Sequence, residues 1–313
     1  MSNSAFVFPG QGSQSIGMLS ELADRFPLII EKFNSVSEHL NFDVWKLVQK
    51  GPEEILNQTE HTQVAMLVAD VAIFSVIEQQ GLVSANMMAG HSLGEYAALV
   101  CSGSLNLLDA AALVKKRGQL MQEYVPLGKG AMAAIVGLND EDVRAVCNKA
   151  SSETDFVSPA NYNSIGQVVI AGHSFAVEKA INIANEMGAR MALPIPVSVP
   201  CHCMLLKDAA DEFANFLNNT NFLVPKLPVI SNVNLSTYES VSDIRSLLQK
   251  QLYSPVRWVE TIELMKKSNI ELIIECGPGK VLTSLIKRID RSIQTISVND
   301  SSSFDALLTL LKS

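Results

Sequence analysis

The chain has 313 residues, 48% of them hydrophobic, and this is enough apolar material to build a full buried core, so the composition excludes a disordered protein. The formal net charge is -8 and the lysines and arginines are scattered through helical stretches, which argues against a nucleic acid as partner.

The first part of the chain alternates short apolar runs with amphipathic segments. Residues 5–8 predict a buried strand rather than an export signal, because no cationic segment precedes them and Pro9-Gly10 ends the run. A helical pattern then runs through residue 80, a second strand is predicted at 87–89, and helical pattern continues through residue 124. This alternation favours a parallel sheet covered by helices.

Residues 64–74 form the most apolar later stretch, and Asp70 interrupts it. We therefore expect no segment long enough to span a bilayer, no membrane partner and a cytoplasmic protein. The five cysteines form no C-x-x-C pair, and Cys201-His202-Cys203 is too tightly spaced for a usual zinc site, so we expect reduced thiols and no metal.

After Pro126-Leu127-Gly128 the pattern of apolar and polar residues changes. The patterns predict, in order, strand, helix, two strands, helix and strand, at residues 131–136, 140–150, 156–162, 167–171, 175–187 and 189–193. The order βαββαβ is typical of a ferredoxin-like fold. We therefore expect an inserted subdomain at residues 128–197.

The chain then returns to the larger unit. An apolar-faced helix is predicted within 205–217, a strand at 229–230, helices around 243–267 and a strand at 272–274. The predicted fold class is α/β, a large parallel-sheet hydrolase-like domain at residues 1–127 and 198–313 with the ferredoxin-like subdomain inserted.

Gly90-His91-Ser92-Leu93-Gly94 matches G-x-S-x-G and lies between a predicted strand and a predicted helix. On such a turn the serine hydroxyl is exposed at the positive end of a helix, where an oxyanion is stabilised. Ser92-x-x-Glu95 also matches a capping box, so Ser92 could serve only to satisfy the free amides of the helix. The sequence alone leaves both interpretations open.

Arg117 falls on the apolar face of the predicted helix 107–124, where an aliphatic residue is expected. An inward guanidinium needs an anion, and no acid occurs within a helical turn on that face. A substrate carboxylate held by two hydrogen bonds would supply it. A buried pair with a distant Asp or Glu, or a side chain that reaches solvent, is the alternative.

Among the five histidines, His202 follows Pro200 at the entrance to an amphipathic helix, where the positive helix end would keep the imidazole neutral and able to act as a base. A structural histidine is the alternative.

Two glycine-rich segments do not match nucleotide-binding motifs. Gly10-Gln11-Gly12 has Ser15 where a dinucleotide fingerprint needs glycine, and Gly277-Pro278-Gly279-Lys280 is followed by Val281 rather than Ser or Thr. We therefore expect no nucleotide cofactor.

Motifs along most of the chain resemble those of the malonyl-CoA:acyl carrier protein transacylases of bacterial fatty acid synthesis. The resemblance runs from Phe6 to about Arg288. It is carried by residues 8–14, 90–96, 117–118, 130–134, 161–163, 199–203, 251–258 and 277–282.

The resemblance implies a role for each candidate residue. Ser92 would be the nucleophile and His202 the base, with the backbone carbonyl of Gln251 orienting the imidazole. The amide of Leu93 and the Gln11 segment would form the oxyanion hole. Arg117 would bind the malonyl carboxylate, and we add Met121, on the same helix face, as a substrate contact.

The resemblance further implies malonyl-CoA as substrate rather than cofactor, and acyl carrier protein as partner. Residues that depart from the family pattern are Val64, Ile165 and Cys201, of which Cys201 bears on the shape of the acyl pocket. A basic rim near Lys280, Lys287 and Arg288 is a candidate docking surface for an acidic carrier protein.

Two other functions stay open: a serine esterase or thioesterase with the same nucleophile turn, and a non-catalytic module that docks carrier protein.

Overall fold

The computed structural model describes residues 3–81 and 85–312, and it contains two sheets with helices around them. The strands are β1 Ser4–Phe8, β2 Met87–Gly90, β3 Gly130–Val136, β4 Val157–Ser164, β5 Gln167–His173, β6 Met191–Ile195, β7 Val229–Ile230, β8 Leu272–Cys276 and β9 Gln294–Val298. The helices of the first half are α1 Ser20–Arg25, α2 Pro27–Leu40, α3 Val44–Lys50, α4 Glu53–Leu56, α5 Thr59–Gln79, α6 Gly94–Cys101 and α7 Leu107–Tyr124. The later helices are α8 Asp140–Ala150, α9 Ser174–Glu186, α10 Lys207–Asn219, α11 Val241–Gln251, α12 Trp258–Lys267, α13 Val281–Ile289 and α14 Ser301–Lys312.

The large sheet is parallel, with the order β7-β2-β1-β8-β9. Its central strand β1 is buried at all five positions because helices cover both faces, which is the usual setting of a parallel sheet. Since parallel strands end at the same edge, the segments that follow β1, β2 and β7 are brought together there.

The small sheet is antiparallel, with the order β4-β5-β3-β6, and α8 and α9 pack against one of its faces. The element order β3-α8-β4-β5-α9-β6 is the predicted βαββαβ pattern. The predicted fold class, a parallel-sheet α/β unit carrying a ferredoxin-like antiparallel unit, is confirmed. The division of the chain at residues 128 and 197 stays a prediction.

Helix α5 corrects the expectation that no segment could span a bilayer. Thr59–Gln79 is long and apolar enough to do so by length and composition alone. However, 83% of its most apolar window is buried inside the protein, where it packs against α2, α6 and α7. Its apolar character is that of a core helix.

The C-terminal elements α13, β9 and α14 were not among the predicted ones. Strand β9 is at the edge of the large sheet and is only half-buried along most of its length, so its sequence lacks the continuous apolar run that marks β1 and β8. Predicted bounds elsewhere differ by at most two residues, as at β6, which begins at Met191 rather than at Ala189.

Candidate active site

The segment after β2 turns sharply into α6 and exposes Ser92 at the turn. Ser92 has a φ of 52°, in the left-handed region that residues with a side chain rarely adopt. The two flanking glycines are needed for space: a Cβ atom at Gly94 would lie 2.0 Å from the carbonyl oxygen of Phe8, and one at Gly90 would lie 1.8 Å from the carbonyl carbon of Gly94. The turn therefore packs directly against β1.

Ser92 and His202 are in direct contact. The Ser92 Oγ atom lies 2.7 Å from His202 Nε2, and His202 Nδ1 lies 2.8 Å from the backbone carbonyl oxygen of Gln251. A carbonyl oxygen can only accept, so Nδ1 carries the proton and Nε2 is free to accept from the serine hydroxyl. A hydroxyl held in this way can be deprotonated as it attacks a carbonyl carbon.

The capping-box alternative does not describe the observed contacts. Helix α6 begins at Gly94 without a side-chain cap, and the Ser92 hydroxyl is directed to His202 instead of to a helix amide. The Glu95 carboxylate is likewise directed away from the Ser92 amide and receives hydrogen bonds from Tyr238, Gln251 and the backbone of Asn232.

His202 is 3% exposed, and burial together with the nearby Arg117 cation lowers the pKa of its imidazole to about 3. The neutral ring expected from the sequence is therefore present, but its cause is different. Helix α10 does not begin until Lys207, so the positive end of that helix is not what keeps His202 neutral.

Arg117 is 2% exposed and projects from α7 into the same site. Its Nη1 donates to Gln63 Oε1 at 2.9 Å and its Nη2 to Gln251 Oε1 at 3.0 Å. Among the described residues no carboxylate forms an ion pair with it, and its Nε has no hydrogen-bond partner. The guanidinium is thus buried against neutral amide oxygens, a setting that favours an incoming anion.

Ser92, Arg117 and His202 all line one cavity of about 240 Å³, which lies between the large and the small sheet. The loop 9–13 forms one wall, and side chains from the small sheet and from α13 face the three polar residues across the cavity lining. The apolar lining residues include Met132, Val169, Ile195, Val197, Leu282 and Leu285. A more open groove of about 820 Å³ beside residues 136–141 contains none of the three polar residues.

The candidate oxyanion donors border this cavity. Leu93 and Gln11 both line it, and a Cβ atom at Gly10 would lie 2.5 Å from the carbonyl oxygen of His91, so the loop that carries Gln11 lies against the nucleophile turn. The Leu93 amide donates to no residue in the described part of the chain. The Gln11 side chain is exposed and reaches Thr59 Oγ1 at 3.4 Å.

Met121 is fully buried but is not among the residues that line the cavity. Its sulfur lies 3.6 Å from Nε2 of Gln63, whose oxygen holds Arg117. Met121 therefore lies behind the guanidinium, and a direct substrate contact at this residue stays a prediction that the geometry does not favour.

The residues that depart from the family pattern have different surroundings. Val64 is buried in α5, and Ile165 is exposed in the turn between β4 and β5. Cys201 lines the cavity, and burial raises the pKa of its thiol to about 11, so it stays a neutral apolar group there. His91 also lines the cavity; its Nε2 pairs with Asn163 Oδ1 at 2.8 Å, and its ring packs against Trp258.

Asn232 is a site residue that the sequence analysis missed. It follows β7 and is fully buried; its Oδ1 accepts from the Ser92 amide at 2.8 Å, while its Nδ2 donates to the Gly90 carbonyl at 2.7 Å. Its one sequence signal is its place in a polar pair, Ser231-Asn232, that follows a short buried strand. Only the order of strands shows that this strand lies beside β2.

Within residues 3–81 and 85–312, no group of three or more His, Cys, Asp or Glu side chains is arranged to hold a metal ion. The site as built is a serine nucleophile, a neutral imidazole base and an anion-binding arginine around one small cavity. This combination suits covalent transfer of an acyl group that carries a carboxylate.

Comparison with known proteins gives a family match described as acyl transferase domain over residues 5–303. The chain is 49% identical to the malonyl CoA-acyl carrier protein transacylase of Escherichia coli K12 over 310 residues, which are 99% of this chain and 100% of the relative. It is 41% identical to the transacylase of the same name from Bacillus subtilis, over 312 residues that cover 100% of this chain and 98% of that one.

Two solved structures have the same fold over nearly the full length. The malonyl CoA-acyl carrier protein transacylase of Coxiella burnetii superposes with a TM-score of 0.96 at 49% identity, covering 99% of this chain and 97% of the other. A malonyl-transacylase in complex with a type II PKS acyl-carrier protein superposes with a TM-score of 0.96 at 48% identity, covering 99% of both chains.

Proposed function

The chain belongs to the acyl transferase domain family, and we propose that it moves a malonyl group from malonyl-CoA to the phosphopantetheine thiol of acyl carrier protein, through an ester on Ser92. The observation that carries this proposal is that the Ser92–His202 pair and the buried cation of Arg117, which has no carboxylate partner in the described residues, share one cavity.

In the first half-reaction, Ser92 Oγ attacks the thioester carbonyl of malonyl-CoA while its proton passes to His202 Nε2. The negative charge that develops on the carbonyl oxygen is stabilised by the amide of Leu93 and the backbone of the Gln11 segment. The carbon–sulfur bond then breaks, and the coenzyme A thiolate leaves with the proton from His202. The product of this half-reaction is malonyl-Ser92.

The second half-reaction follows the same path in reverse with a different thiol. The carrier protein thiol gives its proton to His202 and attacks the ester carbonyl, and the Ser92 oxygen leaves with that proton. The enzyme is regenerated without net gain or loss of protons. Malonyl-CoA is consumed as a substrate, and no step calls for a resident cofactor.

Arg117 also connects substrate binding to the strength of the base. Its positive charge is one cause of the low pKa of His202. A malonyl carboxylate bound to Arg117 would offset that charge and raise the pKa of the imidazole, since an opposite charge nearby favours the protonated ring. The base therefore becomes stronger when an acyl group with a carboxylate is in place.

The Gln251 carbonyl occupies the position that an acid fills in a Ser-His-Asp triad. A hydrolase that shares this turn would release free acid steadily, whereas the transferase holds the ester until a thiol arrives.

Intact-mass measurement after mixing with malonyl-CoA tests the proposal: we expect a stable malonyl adduct that disappears when carrier protein is added. Free malonate in place of the adduct would show a hydrolase. Carrier protein binding without any adduct would show a docking module.

We also propose that the enzyme works in the cytoplasm and that residues 1–127 and 198–313 form the catalytic unit around an inserted unit at 128–197. Burial of the apolar helix α5 supports the first statement. The separate antiparallel sheet that β4, β5, β3 and β6 form among themselves supports the second.

A further inference from the structure

Glu95 is a fully buried acid beside the site, in the first turn of α6. Its Oε1 accepts a hydrogen bond from the Tyr238 hydroxyl. Its Oε2 accepts from Gln251 Nε2 at 2.6 Å and from the backbone amide of Asn232 at 3.3 Å. Glu95 is not among the residues that line the cavity, so it acts on the reaction through these partners and through its electrostatic interaction with Arg117.

The Glu95 carboxylate and the Ser92 carbonyl together determine which way the Gln251 side-chain amide faces, and Glu95 accepts the shorter of the two hydrogen bonds. The Gln251 Nε2 donates both to Glu95 and to the backbone carbonyl of Ser92, at 2.6 and 3.0 Å. A carbonyl oxygen and a carboxylate accept hydrogen bonds, so the amide nitrogen belongs on their side. The amide oxygen is then directed at Arg117 Nη2, 3.0 Å away.

The orientation of Gln251 in turn decides how Arg117 is held. The guanidinium donates one hydrogen bond to Gln63 and one to Gln251, and it lies over the ring of Tyr96, 5.6 Å from the ring centroid. If the Gln251 amide were reversed, its NH2 group would face the cation and one of these two hydrogen bonds would become a repulsive contact. Both holders are neutral, so they position the guanidinium without neutralising it.

We propose that Glu95 is a positioning residue that sets the preference for acyl groups ending in a carboxylate. By accepting from Gln251 Nε2, it keeps the Gln251 oxygen on Arg117 and so keeps the guanidinium directed into the cavity. The inference rests on the proposed function, because it assumes that Arg117 binds the carboxylate of the acyl group.

The test compares malonyl-CoA with acetyl-CoA as donors, measured on one preparation of each variant. The ratio of the two kcat/KM values does not depend on the fraction of folded enzyme, so a merely structural role leaves it unchanged. Glu95→Met removes the acceptor, and we expect the ratio to fall by at least about tenfold, the size of one hydrogen bond to a charged group.

Glu95→Gln is the conservative variant. Its amide oxygen can still accept from Gln251, and its amide nitrogen can face the Tyr238 hydroxyl, which is able to accept as well as donate. We expect this variant to keep the ratio within about threefold of the unsubstituted enzyme. Glu123→Met, on the exposed side of α7, is the matched control and should leave the ratio unchanged.

Gln251→Met provides a second route to the same answer if Glu95→Met folds poorly. It removes the side-chain amide but keeps the backbone carbonyl that His202 needs, so the ratio should fall as in Glu95→Met. Adding Glu95→Met to Gln251→Met should then cause no further fall.

An unchanged ratio in Glu95→Met, an equal fall in Glu95→Gln, or a further fall in the double variant would each overturn the inference. The proposed function fails separately, if the unsubstituted enzyme takes no malonyl adduct from malonyl-CoA.

Discussion

Ser92 and His202 meet at 2.7 Å, and both have left-handed backbone conformations, with φ angles of 52° and 62°. Such a conformation costs about 1–3 kcal/mol for a residue with a side chain, so it persists only where the surrounding structure imposes it. Here the Asn232 side chain holds the Ser92 amide, and the Leu252 carbonyl holds the His202 amide. The strain is located at the two residues that must meet for the reaction.

Ser92→Ala should abolish the acyl adduct and lower transfer by at least about 10⁴-fold, because the nucleophile itself is removed. The fold should persist, with a change in unfolding free energy below about 1 kcal/mol. Intact mass after mixing with malonyl-CoA measures the first effect. Ser284→Ala, on the exposed side of α13, is the control and should take up the adduct normally. An adduct on Ser92→Ala would place the nucleophile elsewhere.

Arg117→Met should lower kcat/KM for malonyl-CoA by on the order of 10²- to 10³-fold, since a buried charge partner of the substrate carboxylate is lost. The acetyl group has no carboxylate and forms no ion pair with Arg117, so kcat/KM for acetyl-CoA should fall much less. Arg117→Lys should recover only part of the malonyl activity, because an ammonium lacks the two-pronged donor geometry. Lys116→Met is the neighbouring control. Equal losses for both donors would refute the carboxylate role.

The pH dependence of acylation should differ from that of an ordinary histidine. The pKa of His202 is lowered to about 3, so the free enzyme keeps its base neutral throughout pH 5–8. We expect kcat/KM to stay nearly constant over that range, whereas an imidazole with the usual pKa of about 6.5 would lose roughly 30-fold by pH 5. A fall centred near pH 6.5 would contradict the buried neutral ring.

The lowered pKa of His202 also makes the stability of the folded protein depend on pH, and this requires a control in that experiment. Because the folded pKa of His202 is below the unfolded value, its contribution is present above about pH 6.5 and is lost as the pH falls toward 3. Circular dichroism at each pH should therefore accompany the rates, so that a loss of folded enzyme is separated from protonation of the base.

Asn232→Leu should destabilise the protein and slow acylation together. The substitution leaves the Ser92 amide and the Gly90 carbonyl without their partners, and each unpaired buried group costs about 1–3 kcal/mol. We expect a loss of about 2–4 kcal/mol in unfolding free energy, measured by urea titration. Asn234→Leu, on the exposed side of the same loop, should cost less than about 1 kcal/mol. Equal costs at the two positions would argue against a role for Asn232 at the nucleophile turn.

Charge reversal on the basic rim tests carrier protein docking. Lys280, Lys287 and Arg288 are exposed, and Arg288 also donates to Gln167 of the small sheet at 2.8 Å. Lys287→Glu should raise the KM for an acidic carrier protein several-fold and leave the loading of Ser92 from malonyl-CoA unchanged. The effect should weaken as the salt concentration rises. Unchanged transfer at low salt would remove this surface from consideration.

The parts of the site that the sequence predicted are those set by local pattern. Ser92 follows from glycine spacing between a strand and a helix, and Arg117 from a cation in an apolar helical register. Asn232 and Glu95 could not be predicted in the same way, because their contacts depend on β7 lying beside β2 and on where α11 ends. The low pKa of His202 was expected from a helix end but comes from burial and from Arg117, which only the tertiary structure brings together.

The same distinction holds for the fold. Strands β1 and β8 are buried along their whole length and are visible as apolar runs, whereas the edge strand β9 is half-buried and was missed. A helical pattern through residue 80 was predicted, but not that residues 59–79 are long and apolar enough to span a bilayer, because Asp70 was taken to interrupt the apolar stretch 64–74. In the structure Asp70 is buried inside the helix, and burial holds the pKa of its carboxyl well above the usual range.

The small sheet stands in the chain between the nucleophile and its base, and this affects how the protein reaches its active form. Strands β3 and β6 pair with each other, with Met132 opposite Ile195, so the two ends of the inserted unit are adjacent once it has folded. Early folding of that unit shortens the flexible connection from Ser92 to His202, and each halving of such a loop lowers the entropy cost of closing it by about 0.6 kcal/mol. During synthesis the serine emerges long before the histidine, and its hydroxyl stays an ordinary alcohol until the later segment arrives.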